Sequence, residues 1–130
     1  MLENIRTGLT GEKSVEVTHN LTIASLNEKL PAVYSTPAMI LLMETAAASL
    51  IHPLLPAGHI SVGTEVNIRH LAATPLGDHV TATARVLEIA GNLVKFEVEA
   101  RDSKLLIGSG THTRAVIEIA RFMRRLENRN

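Results

Sequence analysis

With 130 residues, 45% hydrophobic and 20% charged, the chain can bury a sizeable core and is not a disordered segment. Thirteen basic residues cancel thirteen acidic ones, which removes a general electrostatic pull toward nucleic acid or anionic membranes. Cysteine and tryptophan are absent and there are only one tyrosine and two phenylalanines, which excludes disulfides, thiolate metal sites and a cysteine nucleophile and speaks against base-stacking platforms.

The start, MLENIRTGL, has no basic region followed by an apolar run, so no secretory signal is read there and a cytoplasmic protein is expected. No linker, repeat or low-complexity stretch divides residues 1–130, which read as one domain. SVEVTHNLTI alternates weakly and predicts a first strand from Lys13 to Asn20. The polar segment SLNEKLPAVY then leads into STPAMILLMETAAASLI, a helix apolar on nearly every side. Thr36 reads as its N-cap with Pro37 at the first helical position, and Pro53 predicts an end near His52. From Pro37 to Leu55 the chain is apolar enough to suggest a membrane span. Glu44, His52 and Pro53 interrupt it, and it falls short of the ~20 clean residues a span needs, so a buried helix without a membrane partner is expected.

Beyond the turn at PAG the pattern becomes extended: HISVGTEVNIRHLA, HVTATARVLEIA, LVKFEVEARD and KLLIGSGTHTRAVIEI, separated by turn signals in TPLGD, AGN and DSK. VKFEVEA alternates cleanly, with Val94, Phe96 and Val98 on one face and Lys95, Glu97 and Glu99 on the other. IARFMRRLENRN predicts a short amphipathic C-terminal helix with Ile119, Phe122, Met123 and Leu126 on its apolar side. The fold class is therefore α+β: four meandering strands form a curved antiparallel sheet over one long helix. A sheet of this size covers that helix on one side only, so a homodimer is expected.

Glu44 is the conspicuous residue, because a carboxylate in so apolar a helix is costly unless it is paired or has a task. It follows Thr36 by eight residues, about 12 Å of helical rise, a gap suited to a small substrate group or a water. A structural glutamate satisfied by an arginine or by a partner subunit is the competing reading. The N–H groups of Ala38 and Met39 at the helix start offer a site for a developing oxyanion. Gly63 and His70 share one predicted strand; a glycine inside a strand marks a bulge or a close approach, and a lone strand histidine is commonly structural. The other histidines show no metal-ligand spacing, so no metal is expected. LLIGSGTHT lacks the third glycine of a dinucleotide loop, and β-branched strand material follows it; Gly108 and Gly110 are read as permitting a bulge or tight contact against the helix.

Three segments, STPAMILLMETA, SVGTEVNIRHLAATPLG and IGSGTHTRAVI, closely resemble the fluoroacetyl-CoA thioesterase-like branch of the hotdog thioesterases. The resemblance runs from about Gly11 to Phe122, with the segments in the same order. It implies a hotdog fold, a curved sheet wrapped around one central helix in a paired dimer, with tetramers also open. It implies a catalytic Thr36, Glu44 and His70, with the Gly63 backbone N–H at the thioester. The substrate would be an acyl-CoA or related thioester, with CoA as part of the substrate and no further cofactor. Where fluoroacetyl-specific members carry phenylalanines before the threonine, this chain has SLNEKLPAVYST, with Leu30 at an expected phenylalanine and Tyr34 as the one aromatic. Leu30 and Tyr34 are thus candidate acyl-pocket residues, and fluoroacetyl selectivity is not expected. The expected reaction is hydrolysis of a short or modified acyl-CoA, with Glu44 as base or nucleophile left open. A non-catalytic hotdog module that binds or senses acyl thioesters is the alternative.

Overall fold

A computed structural model describes residues 2–129. The elements run β1 (Thr10–Glu16), α1 (Thr36–Ile51), β2 (His59–His70), β3 (His79–Ala90), β4 (Leu93–Arg101), β5 (Leu106–Glu118) and α2 (Ile119–Glu127), with short 3-10 turns at His19–Leu21, Ile23–Ser25 and His52–Leu54. All neighbouring strands are antiparallel, in the order β1-β3-β4-β5-β2. This five-stranded sheet, curved around α1, is the hotdog fold.

Two expectations about the sheet need correction. The first strand begins and ends earlier than predicted, because its register is set by β3: Thr10 pairs with Arg85 and Glu16 with His79, where β3 begins. Beyond that point only Val17 continues the pairing, its N–H donating to Asp78 O and its O accepting from the Gly77 N–H, both at 2.8 Å, and His19–Leu21 then turns away. The weak alternation of SVEVTHNLTI carried no such boundary. The four later strands are also not one meander. Only β3, β4 and β5 are sequential neighbours, while β2 lies beyond β5 at the far edge. The segment from Leu71 to Asp78 that follows β2 is too long for a tight hairpin, and it carries the chain across the sheet.

The helix starts one residue earlier in role than expected. Ser35, not Thr36, is the N-cap, accepting a hydrogen bond from the Ala38 N–H at 3.2 Å. Thr36 is thereby freed from capping and opens the first turn, with Pro37 next to it where a missing N–H costs nothing. The end agrees with the reading: α1 stops at Ile51 and His52 is its C-cap.

α1 buries Met39, Met43, Ala46, Ala47 and Ile51, one helical face, and lies mainly against β1 and β3. The sheet meets it with alternate residues, Val80, Ala82, Ala84 and Val86 from β3 and Val94, Phe96, Val98 and Ala100 from β4, all fully buried. Small side chains on both sides, Ala46 and Ala47 facing a sheet that presents Ala82 and Ala84, let helix and sheet backbones approach closely. Gly108 on β5 serves the same approach, since a Cβ there would stand 2.5 Å from Met39 Sδ. The polar face of β4 is solvated, and its Glu97 pairs with Arg85 of β3 at 3.1 Å, an exposed bridge that contributes little.

The opposite side of α1 is open. Leu41 is 61% exposed, with Thr45 and Ser49 exposed beside it. Gly63 to Asn67 on edge strand β2 are exposed as well. Helix α2 has the predicted amphipathic composition, but Ile119, Phe122, Met123 and Leu126 all remain exposed.

Candidate active site

The segment before α1 is pinned by backbone hydrogen bonds from both sides. The Ser35 N–H donates to Leu21 O at 2.9 Å, and the Tyr34 N–H donates to Thr74 O at 2.8 Å. Thr74 lies in the link that leaves the end of β2, so these bonds set the start of the helix beside the last residue of that strand. There Thr36 Oγ1 and His70 Nδ1 share a hydrogen bond of 2.7 Å. The other ring nitrogen, Nε2, is buried and has no hydrogen-bond partner among the described residues. A buried polar atom left unpaired is rare and calls for a reason. Burial holds the His70 imidazole below its ordinary value, partly offset by the Ala72 backbone, so the neutral ring is favoured. The pair opens into a cleft of about 410 Å³ whose walls include Ile23, Val33, Tyr34 and Ala72.

Glu44 lies elsewhere. Its protein contacts run through Oε2, which accepts from Arg114 Nη1 at 3.4 Å and faces His112 Nε2 at 3.7 Å. That oxygen is also packed against Gly63, so closely that a Cβ at position 63 would overlap it. The strand register shifts between Gly63 and Glu65, so the close-approach and bulge readings of this glycine both hold. Arg114 is itself held on its other side: Nε donates to Ser61 Oγ at 2.8 Å and Nη2 to Ser61 O at 3.1 Å. The side chain of Glu44 is 34% exposed and that of Arg114 only 10%, so the carboxylate reaches a surface while its counter-ion does not.

Although His112 lies within ion-pair distance of Glu44, it is not a charged partner. Its Nδ1 meets Glu65 O at 2.8 Å, and a carbonyl only accepts, so Nδ1 carries the proton. Its Nε2 meets Arg114 Nη1 at 3.1 Å, and a guanidinium only donates, so Nε2 carries the lone pair. Burial first, and then the Arg114 charge, hold this histidine below its ordinary value, outweighing the Glu65 carbonyl and Glu44.

Two histidines whose folded forms resist protonation make stability pH-dependent. As pH falls below about 6.5, the unfolded chain takes up these protons before the native chain does, so native stability falls with it. The midpoint of thermal unfolding is expected to be lower at pH 5 than at pH 7.5. A midpoint unchanged over that interval in calorimetry would contradict the two shifts.

The predicted residues therefore divide into two groups. Thr36 and His70 meet, and Glu44 and Gly63 meet, but the groups are separated along α1 by about 12 Å of helical rise. The helix-start donors are not free as expected: the Ala38 N–H is bonded to Ser35 Oγ and the Met39 N–H to Ser35 O at 3.1 Å. Ser35 as cap consumes both. Tyr34 lines the cleft with its ring, but it is 2% exposed, its hydroxyl donates to Ala38 O at 3.2 Å, and burial pushes its phenol up to about 12. It is a wall, not an acid. Leu30 is 42% exposed and stands outside the lining of that cleft. Sequence reading missed Ser61, His112 and Arg114. His112 and Arg114 carry two signals: they lie in IGSGTHTRAVI, one of the segments of the resemblance, and the alternation of β5 places them on the face that otherwise carries Val116.

A family model described as fluoroacetyl-CoA-specific thioesterase matches residues 17–120. The chain belongs to this family. It is 42% identical over 94 residues to the fluoroacetyl-CoA thioesterase of Streptantibioticus cattleyicolor, covering 72% of this chain and 68% of that one. Among solved structures, the fluoroacetyl-CoA thioesterase FlK superposes with a TM-score of 0.90 at 33% identity, over 98% of this chain and 99% of the other. A threonine-to-serine mutant of FlK in complex with acetyl-CoA superposes with a TM-score of 0.88 at 33% identity, over 95% and 97% of the two chains. The protein is thus a member of a thioester hydrolase family.

Proposed function

We propose that the protein hydrolyses short acyl-CoA thioesters, and that its active site joins Thr36 and His70 of one subunit to Glu44 and Gly63 of a second. The observation that carries this reading is the His70 ring, which lines the cleft and is held at Nδ1 by Thr36, while its buried Nε2 has no hydrogen-bond partner among the described residues. A neutral imidazole held in this way is ready to move a proton near neutral pH.

The second half of the site is argued from the edge strand. β2 is 12 residues long and, among the described residues, has no neighbour on its outer side, an open template for another strand. Two copies related by a two-fold axis pair such edges antiparallel. An axis between Val66 and Asn67 sets Gly63 opposite His70 of the partner subunit, since the two positions are equidistant from it. The same pairing covers exposed Val66 and brings a second subunit toward the open side of α1 at Leu41.

In the joined site, Arg114 and Gly63 hold Glu44 by Oε2, leaving Oε1 to take a proton from water. The water oxygen bonds to the thioester carbon, the C–S bond breaks, and the proton ends on the departing CoA sulfur with His70 as carrier. The Gly63 N–H would stabilise the oxyanion, a contribution of about 3 kcal/mol for one such donor. With Leu30 and Tyr34 in it, the segment before Thr36 has no phenylalanine, so selectivity for a fluorinated acyl group is not expected.

A panel of acetyl-, fluoroacetyl-, propionyl- and phenylacetyl-CoA, with free thiol detected after many turnovers, tests the proposal. Thiol release from acetyl-CoA and fluoroacetyl-CoA at comparable kcat/KM is expected. Saturable binding across the panel with no thiol released would identify a binding module instead.

A further inference from the structure

His112 is 1% exposed and stacks on Phe96 with ring centroids 6.2 Å apart. An apolar side chain would fill this position against Phe96 equally well. It would also leave the Glu65 carbonyl and one Arg114 N–H buried without partners, a cost that a histidine avoids. Both ring nitrogens are committed, and each to a group that permits one role only. The ring is therefore held as the Nδ1–H tautomer from two sides.

The consequence falls on Arg114. Ser61 anchors Nε and Nη2, one edge of the guanidinium. Nη1 projects from the other edge with two N–H bonds. His112 Nε2 accepts one of them, and the remaining one is directed at Glu44 Oε2. We propose that His112 is a positioning residue for Glu44: as a neutral, Nδ1-protonated acceptor it orients Arg114 so that the carboxylate rests on Gly63 with its second oxygen free. The inference rests on the reading of Glu44 as the acting carboxylate.

The charged groups facing the ring agree with this role. From β5 it meets the Arg114 guanidinium, and from α1 the Glu44 carboxylate. From β2 it meets only the backbone carbonyl of Glu65, whose own carboxylate accepts from Thr113 Oγ1 at 3.4 Å. β4 contributes Phe96, which does not titrate. A protonated ring would turn an N–H toward the guanidinium in place of the lone pair, and the bond that orients Nη1 would be lost.

The tautomer is read directly by long-range proton–nitrogen NMR of the full-length protein labelled at histidine. The expected result is an Nδ1-protonated His112 that does not titrate between pH 6 and 8. An Nε2-protonated ring, or titration within that range, would overturn the proposal. Kinetically, His112→Leu is expected to lower kcat for acetyl-CoA by about ten- to a hundredfold, the range for one lost hydrogen bond to a charged group, with KM little changed. His112→Gln, which retains an acceptor for Nη1, should recover most of that loss. In an Arg114→Lys background, the leucine substitution should have little further effect. Wild-type kcat in folded His112→Leu, or an equal loss in both backgrounds, would also overturn it. Should His112→Leu fail to fold, the NMR measurement and His112→Gln still decide. Glu44→Gln tests the underlying reading separately: full activity in that variant removes the role of Glu44 whatever tautomer His112 shows.

Discussion

Replacing Glu44 with glutamine is expected to lower kcat for acetyl-CoA by more than about a hundredfold, the usual scale for removing a general base. The substitution keeps the shape of the side chain and its contact with Gly63, but the amide cannot take a proton from water. It also leaves the Arg114 guanidinium, whose side chain is only 10% exposed, without its carboxylate partner. Some loss of stability is therefore expected beside the loss of turnover. Thermal unfolding monitored by circular dichroism separates the two: a cooperative transition retained in a variant that releases almost no thiol is the predicted combination. Hydrolysis at the wild-type rate by a folded Glu44→Gln protein would remove this residue from the mechanism.

The second large effect concerns the division of the site between subunits. His70→Ala and Glu44→Gln proteins, each nearly inactive alone, are expected to regain activity when unfolded together and refolded as a mixture. A mixed dimer carries one intact site, made from the unaltered His70 of one subunit and the unaltered Glu44 of the other, and one site with both defects. With random pairing half of the dimers are mixed and half of their sites are intact, so about a quarter of wild-type activity should return. If each site instead lay within one subunit, every site in the mixture would keep one defect and no activity would return. The outcomes differ by far more than the error of a thiol assay. Analytical ultracentrifugation of the same samples establishes that dimers have formed. A monomer with full activity would sink the shared-site proposal outright.

Much of the fold is legible in the residues because it depends on local pattern. β3 was bounded correctly, His79–Ala90, since its ends are marked by the LGD and AGN turns. The burial of Val94, Phe96 and Val98 followed from a period of two, and the end of α1 near His52 from Pro53. What failed were features that depend on a distant neighbour. The limits of the first strand are those of β3, which its own weak alternation does not carry, and β2 lies at the edge beyond β5 although β3 follows it in sequence. Assigning Thr36 as the cap left the Ala38 and Met39 donors apparently free, whereas Ser35, one residue earlier, takes up both.

The candidate site divides in the same way. By itself the sequence determined that an unusually apolar helix carries a single carboxylate, and its motifs singled out Thr36, Gly63 and His70, because residue type, spacing and segment order are all linear information. Only the tertiary structure decided which of these meet. Thr36 turns to His70, while Glu44 turns to Gly63 and to an arginine 70 positions away in the chain. Contacts of that kind depend on sheet order, strand register and the tilt of one helix across the sheet. None of these is encoded in the spacing of residues along the chain.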